Sequence, residues 1–118
     1  MRLRKTVFAM KVKRYVIYWV DLNPVRGSEI SKVRPAVVVS DDLMNASLQT
    51  IVVCPLTSTL HPNWRSRIPI LCGGRPSEVA VDQIRTISKS RIKRKVDTLG
   101  LEEQALLRDL IVEMYGTA

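Results

Sequence analysis

Histidine and cysteine are scarce in this chain of 118 residues. His61 is the single histidine, and the two cysteines, Cys54 and Cys72, lie far apart with no short Cys/His spacing. Zinc sites and Cys–His or Ser–His–Asp nucleophile systems need such residues in defined sets, so we expect no metal and no cofactor. Both cysteines lie in apolar, strand-like runs. We expect buried thiols in a reducing cytoplasm, with a disulfide as the alternative.

Long hydrophobic runs are also missing. The longest uninterrupted apolar stretch runs from Tyr15 to Val20, whereas a membrane-spanning helix needs roughly 20 residues. Residues 1–10 start basic, but their apolar part, Thr6 to Met10, is too short for the core of a secretory signal. We therefore expect a cytoplasmic protein without membrane association. Apolar residues make up 46% of the chain, which is enough to build one compact core.

Negative charge is outweighed by positive charge, and the excess is concentrated in two segments. Lys and Arg number 19 against 11 Asp and Glu, a formal net charge of +8. Residues 1–14 and residues 85–95 contain basic side chains and no acid, and the rest of the chain is net acidic. Such segments suit a polyanion and predict salt-sensitive binding. Charge alone leaves open whether the partner is a nucleic acid or an acidic protein.

Side-chain periodicity predicts a series of short strands. The strand-like runs are β-branched or alternating, and Pro, Gly and Asn bound them. They cover Tyr15–Leu22, Ala36–Ser40 with Pro35 at its start, Thr50–Leu56, Arg67–Cys72, Ser77–Val81, Ile84–Ile87 and Lys95–Leu99. Ser40 is expected to cap a single helical turn that ends at Asn45. Trp19 is expected in the core.

The C-terminal segment, Leu101 to Tyr115, is predicted to be an amphipathic helix. Three- and four-residue spacings give it one apolar face, formed by Leu106, Leu107, Leu110, Ile111 and Met114. Five to seven strands and this helix predict a mainly β protein with α structure, a small SH3-like β-barrel with the helix packed on it. We expect a basic N-terminal arm over residues 1–12 and a single domain over residues 13–116. Two polar loops, Val25–Val33 and Thr57–Arg65, are expected to frame a groove.

Four groups of motifs occur in an order that is specific as a set. They are Trp19–Pro24 with Gly27-Ser28-Glu29, Val33-Arg34-Pro35 leading to Ser40 and Asn45, the Pro-x-Thr of Cys54–Ser58, and the Asp-Gln-x-Arg-x-Ile of Asp82–Ile87. The set resembles the MazF/PemK-like toxins of bacterial toxin–antitoxin pairs and covers about residues 13 to 115. One departure is Arg14-Tyr15-Val16, where the family usually has Arg-Gly-Asp or Arg-Gly-Glu.

The resemblance implies the toxin component of such a pair, a metal-independent, sequence-specific endoribonuclease. It would cut single-stranded RNA, such as mRNA, by attack of the 2′-hydroxyl on the adjacent phosphate, leaving 2′,3′-cyclic phosphate and 5′-hydroxyl ends. It also implies a homodimer and an acidic antitoxin that blocks the groove. Some family members use a His at the position of Ser28 or an Arg at that of Ala80, so their version of the chemistry is not implied here.

Within this resemblance, Arg34 and Thr57 are the first candidates for catalysis. A guanidinium offers a planar fork of donors to a phosphate, and a hydroxyl at a strand end can donate to a non-bridging oxygen in the transition state. Glu29 is the third candidate, because it could orient Arg34 or take the proton of the 2′-hydroxyl. The alternative is that Arg34 is a surface arginine paired with Glu29 or Asp82.

Candidate RNA contacts lie in the two loops and in the last motif. Trp64 and Arg65 are candidates for stacking on bases, and Asp82 and Gln83 for reading base edges. The full set is Arg26, Ser28, Ser58, Trp64, Arg65, Asp82, Gln83 and Arg85. Two other functions stay open from the sequence: a gyrase-poisoning toxin of the same fold, and a non-catalytic nucleic-acid-binding barrel.

Overall fold

Seven antiparallel strands and two helices make up the described part of the chain. The structure, a computed structural model, describes residues 11–30 and 32–116. The strands are β1 (Val16–Asp21), β2 (Val33–Val38), β3 (Thr50–Thr57), β4 (Arg67–Cys72), β5 (Arg75–Ala80), β6 (Arg85–Ser88) and β7 (Ile92–Thr98). The helices are α1 (Asp42–Ser47) and α2 (Leu101–Tyr115), and 3₁₀ turns cover Val81–Gln83 and Lys89–Arg91.

The strands form one curled sheet. Their order is β4-β5-β3-β2-β1-β7, and β6 also pairs with β3. At the tip of the β4–β5 hairpin, the Gly73 N–H donates to the Asp97 carboxylate on β7 at 2.9 Å, so the two ends of the sheet meet. This half-barrel with a C-terminal helix confirms the predicted fold class.

Apolar side chains fill both faces of the central strands. Val37 on β2 and Cys54 on β3 belong to one core cluster, which also contains Leu107 of α2. Their strand neighbours Val38 and Val53 belong to a second cluster on the opposite face. Because successive side chains of a strand point to opposite faces, a strand covered on both faces is apolar throughout. This double burial explains the continuous apolar run in β2.

Helix α2 has the predicted bounds but buries a narrower face than predicted. Leu107 is completely buried, and Leu110 and Ile111 are partly buried against the same cluster. Leu106 is 57% exposed and Met114 is 36% exposed, so their expected packing on the barrel is wrong. The helix lies against β4 and the Val81–Gln83 turn along one ridge, which leaves the flanks of the apolar face in solvent.

Ser40 does not cap α1. Asp41 is the cap residue, and its carboxylate accepts the Met44 N–H at 2.8 Å. The Ser40 hydroxyl instead donates to the Asn45 side-chain oxygen at 2.6 Å, and the Asn45 amide donates back to the Ser40 carbonyl at 2.9 Å. Both residues are buried, so this reciprocal pair satisfies polar groups that would otherwise be costly inside the core.

Three further expectations differ from the structure. Residues 1–10 of the expected arm lie outside the described residues, but Val12 is 8% exposed and packs in the second core cluster, so the packed domain includes it. Trp19 is half-buried and belongs to neither cluster, with the Arg94 guanidinium 5.9 Å from its ring. Strand β7 starts at Ile92 rather than Lys95, since it pairs along β1 from Val20 to Val16.

Both cysteines are buried free thiols, which confirms the expectation of buried thiols. Burial raises the pKa of Cys54 to about 12, and the nearby Asp82 carboxylate adds to the rise. The pKa of Cys72 is also raised, mainly by burial and to a lesser extent by the negative charge of Asp97. Neither thiol is therefore ionised in the folded protein near neutral pH.

The raised pKa of Cys54 predicts a loss of stability at alkaline pH. The unfolded chain ionises this thiol near its ordinary value of 9.0, whereas the folded chain keeps the proton until about 12. The contribution of Cys54 is therefore complete below pH 9 and is lost as the pH rises through this window. Urea unfolding at a series of pH values should show a shallower alkaline loss in Cys54→Ala than in the wild-type chain. Identical slopes would contradict the assignment.

Neighbouring leucines of α2 should differ sharply in their effect on stability. Leu107→Ala leaves a cavity in the first core cluster and should lower the free energy of unfolding by about 2–5 kcal/mol. Leu106→Ala is the matched control, because its side chain is largely in solvent and should cost no more than about 0.5 kcal/mol. Urea denaturation at one fixed protein concentration measures both. Similar losses in the two variants would mean that α2 packs differently.

Candidate active site

The neighbouring strands β2 and β3 bring Arg34 and Thr57 to one face of the sheet. Strands β2 and β3 are antiparallel, with Val37 opposite Cys54 and Ala36 opposite Pro55. Arg34 and Thr57 lie two residues beyond the Ala36–Pro55 pair, so side-chain alternation turns both toward the face that Ala36 and Pro55 share. Residues opposite each other in an antiparallel pair point to the same face with Cβ atoms about 5 Å apart. The two candidate catalytic side chains therefore lie on the same face of the sheet, and both line one cavity.

A cavity of about 450 Å³ opens over this pair. Its lining comes from the strand ends, from the β1–β2 loop, from the β3–β4 loop and from the Val81–Gln83 turn. The lining residues are Ser28, Glu29, Ile30, Arg34, Thr57, Thr59, His61, Trp64, Arg67, Asp82 and Gln83. The expectation that the two polar loops frame a groove is confirmed.

Thr57 is the last residue of β3 and is 9% exposed. Its hydroxyl oxygen accepts the Thr59 N–H at 3.0 Å, which fixes the start of the β3–β4 loop. A hydroxyl that accepts a hydrogen bond still has its own proton to donate. Thr57 can therefore donate to an anionic oxygen in the cavity from a side chain that is already oriented.

The β1–β2 loop is held by hydrogen bonds to its backbone. Glu29 closes a turn, because its carboxylate accepts the Arg26 N–H at 2.5 Å while its own N–H donates to the Arg26 carbonyl at 3.2 Å. The Gln83 side-chain oxygen accepts the Ile30 N–H at 3.3 Å. At the start of the loop, the Arg85 guanidinium donates to the Leu22 carbonyl at 3.1 Å. Side chains distant in sequence thus set the position of this wall.

A buried ion network holds the β3–β4 loop. The Arg67 guanidinium donates to Asp82 at 2.8 Å and contacts Glu78 at 3.4 Å, and the side chains of Arg67 and Glu78 are 7% and 3% exposed. The two Glu78 carboxylate oxygens accept the His61 N–H at 2.9 and 3.0 Å. Glu78 lies opposite Thr57 on β5, so the buried carboxylate is a direct neighbour of this candidate catalytic residue. Each buried charge in this network has a partner, as burial requires.

Asp82 is kept ionised by the same network. Burial raises its pKa, but hydrogen bonds from Arg67 and Ser66 and the Arg67 charge lower it more, so the pKa lies below the ordinary 3.8. A carboxylate in this state can accept hydrogen bonds but has no proton to give near neutral pH. Asp82 therefore suits a contact with donor groups rather than general-acid chemistry.

The structure brings most of the sequence-predicted site residues together. Arg34, Thr57, Glu29, Ser28, Trp64, Asp82 and Gln83 all line the cavity. Four predicted RNA contacts do not: Arg26 and Ser58 are exposed beside it, Arg85 contacts the Leu22 carbonyl, and Arg65 forms an ion pair with Glu113 of α2. For all of these residues, inside and outside the cavity, a role in catalysis or RNA contact stays a prediction.

Sequence reasoning missed His61, Arg67 and Glu78. His61 and Trp64 are the ends of a turn, with the Trp64 N–H donating to the His61 carbonyl at 3.0 Å, and Pro62-Asn63 between them is a turn signal. Glu78 lies inside an apolar strand-like run, and a buried acid there signals a cationic partner. The sequence contained no sign that the partner is Arg67.

Two further features concern what the described chain lacks. Nowhere in residues 11–30 and 32–116 do three or more His, Cys, Asp or Glu side chains come together as they would around a metal ion. Within the same residues, neither helix combines the length and the apolar content needed to span a bilayer.

The fold is shared with solved toxin structures. MazF from Deinococcus radiodurans superimposes with a TM-score of 0.78 at 21% identity, over 89% of this chain and 96% of that one. The Mycobacterium tuberculosis toxin MazF-mt6 gives a TM-score of 0.73 at 21% identity, over 87% and 98%. An endoribonuclease from a mycobacterial species, solved with its cognate antitoxin, gives 0.74 at 17% identity, over 90% and 96%. These similarities define the fold class, a MazF-like half-barrel.

The sequence profile of the family described as "PemK-like, MazF-like toxin of type II toxin-antitoxin system" matches residues 13–115. The match covers nearly the whole chain, and the chain belongs to this family of toxins.

Tyr15 shows how the chain accommodates its departure from the family pattern. Tyr15 stands where the pattern has glycine, and its φ of 70° lies in the left-handed region that glycine favours. This conformation costs a non-glycine residue about 1–2 kcal/mol. Its backbone is fixed from both sides, because the Tyr15 N–H donates to Val38 at 2.8 Å and the Leu99 N–H donates to Tyr15 at 3.0 Å.

The buried network predicts very unequal effects for two glutamates. Glu78→Ala leaves the Arg67 charge with one partner fewer and the His61 N–H unpaired, and should cost about 3–5 kcal/mol of unfolding free energy. Glu113→Ala removes an exposed partner of Arg65 and should cost less than about 1 kcal/mol. Urea unfolding compares the two variants, and equal losses would refute the network's role.

Proposed function

We propose that the protein is a metal-independent endoribonuclease, the toxin of a toxin–antitoxin pair. One observation carries the proposal: Arg34 and Thr57, on neighbouring strands, line one cavity that is walled by two polar loops. The membership of the chain in the MazF-like family supports the same reading. The net charge of +8 suits a polyanionic substrate.

The proposed reaction needs little covalent chemistry from the protein. The nucleophile is the 2′-hydroxyl of the RNA; its oxygen bonds to the adjacent phosphorus, and the bond from phosphorus to the 5′-oxygen breaks. The 2′-hydroxyl gives up its proton and the leaving 5′-oxygen takes one up from the surrounding water, so the products are a 2′,3′-cyclic phosphate and a 5′-hydroxyl. Arg34 stabilises the charge that grows on the phosphoryl oxygens, and Thr57 donates to one of them.

Glu29 is the proposed group for orientation or proton transfer. One of its carboxylate oxygens holds the Arg26 N–H, and the other can accept a proton from the 2′-hydroxyl or a hydrogen bond from Arg34. Asp82 is the weaker choice as a base because it is already paired with Arg67 and its pKa is low.

The proposed partners are single-stranded RNA, an acidic antitoxin and a second copy of the chain. Relatives of the same fold have been solved with their antitoxins, among them the MazE–MazF complexes of Deinococcus radiodurans. An acidic antitoxin segment would meet the same positive field as RNA and would compete for the cavity. A homodimer would bring two such cavities into one particle.

The direct experiment incubates the purified protein with a long single-stranded RNA in EDTA. Discrete cuts with cyclic-phosphate ends and 5′-hydroxyl ends are expected, and sequencing of those ends gives the cleavage motif. RNA that is bound but stays intact would contradict the proposal and favour a binding module. Inhibition of gyrase with intact RNA would favour the gyrase-poisoning alternative.

Variants of the central pair should lose cleavage and keep the fold. Arg34→Ala and Thr57→Ala should each slow the cut at least tenfold, since loss of one preorganised donor costs roughly 100- to 1000-fold in comparable sites. Arg75→Ala and Thr98→Ala are the matched controls, because both residues are exposed and neither lines the cavity. Unchanged cleavage in either central variant, with native circular dichroism, removes that residue from the mechanism.

A further inference from the structure

The turn between β3 and β4 presents a ring pair to the cavity. The His61 imidazole and the Trp64 indole are stacked, with centroids 3.9 Å apart and planes 7° from parallel. Both residues line the cavity that contains Arg34 and Thr57. The stacking follows from the turn itself, because the Trp64 N–H donates to the His61 carbonyl and brings the first and fourth residues together.

Two buried charged residues, Glu78 and Arg67, hold the ring pair in place. Glu78, which is 2% exposed, binds the His61 backbone N–H through both carboxylate oxygens. Arg67 contacts Glu78 and Asp82, and its guanidinium lies 4.6 Å from the centroid of the Trp64 ring. The two rings are held by the hydrogen bond from the His61 backbone to Glu78 and by the buried ion network of Arg67, so they are oriented before any ligand binds. Such preorganisation reduces the entropy lost on binding.

The two rings differ in how many planar neighbours they already have. Among the described residues, the Trp64 indole has two planar neighbours, the imidazole of His61 and the guanidinium of Arg67. Within the described residues, the imidazole of His61 has one ring contact, that with Trp64. In the part of the chain that the structure describes, His61 therefore ends a stack that runs from Arg67 through Trp64, and a flat group bound in the cavity would extend this stack on the imidazole.

We propose that His61 is a base-binding residue that stacks on an unpaired nucleobase next to the phosphate held by Arg34 and Thr57. The inference rests on the proposed function for the class of substrate, single-stranded RNA. Proteins recognise such RNA by splaying bases out and stacking them on flat side chains. Glu78 and Arg67 are positioning residues in this account, since they act through the loop and its rings.

The test uses RNA that cannot be cut, so its result does not depend on catalysis. The probe is the tightest binder from a set of short single-stranded RNAs with 2′-O-methyl groups, which block the attacking hydroxyl. Each nucleotide is replaced in turn by an abasic residue. The affinity of every probe is measured for the wild-type chain, His61→Ala, His61→Phe and the control Leu60→Ala, whose exposed side chain lies next in sequence and off this cavity.

His61→Ala should weaken binding of the intact probe by roughly 5- to 150-fold, the range for loss of one base–aromatic contact. An abasic site at one nucleotide should weaken the wild-type chain similarly and leave His61→Ala unaffected. His61→Phe keeps a flat ring and should retain affinity, as should Leu60→Ala. The variants should stay folded because the anchor to Glu78 uses the backbone N–H of residue 61.

Three results would overturn the inference. Unchanged affinity in His61→Ala would exclude a contact with the ring. If the loss of affinity from His61→Ala and the loss from the abasic replacement add up at every position, His61 has a purely structural role. A loss in His61→Phe as large as in His61→Ala would exclude stacking. If normal RNA is cleaved but no abasic position weakens the wild-type chain more than His61→Ala, this inference alone is refuted. If one abasic position does so and normal RNA is never cleaved, the proposed enzyme activity alone is refuted.

Discussion

The architecture of the site depends on the interactions of one buried carboxylate, that of Glu78. It lies opposite Thr57 in the β3–β5 ladder, and it is almost completely buried. A buried carboxylate needs cationic and N–H partners, and Glu78 finds them in Arg67 and in the backbone of His61. By meeting this electrostatic requirement, the chain fixes the middle of the β3–β4 loop at His61. The cavity wall is thus a consequence of burying one charge.

The same logic applies to the opposite wall and to the floor. Gln83 holds Ile30 and Arg85 holds Leu22, so the β1–β2 loop is tied to the segment around β6. The floor is set by the ladder between β2 and β3, whose apolar residues are buried on both faces and allow no shift of register. A slip of one residue would turn Arg34 or Thr57 to the other side of the sheet.

How much of this could be predicted from the sequence depends on whether the signal was local. Helix α2 and the bounds of β4 were predictable because their apolar periodicity is local, and the ordered motifs gave Arg34, Thr57 and Glu29. The role of Arg67 was not predictable, since its contacts with Glu78 and Asp82 depend on the register of the β4–β5 hairpin, which the sequence pattern did not specify. The exposure of Leu106 was missed for the same reason, because periodicity defines an apolar face but not the width that a neighbour covers.

A structure of the protein with an uncleavable 2′-O-methyl RNA tests the central claim most directly. The account predicts one phosphate in the cavity with the Arg34 guanidinium and the Thr57 hydroxyl both within about 3 Å of its non-bridging oxygens. A phosphate backbone that crosses the protein elsewhere, with neither side chain in contact with it, would contradict the account.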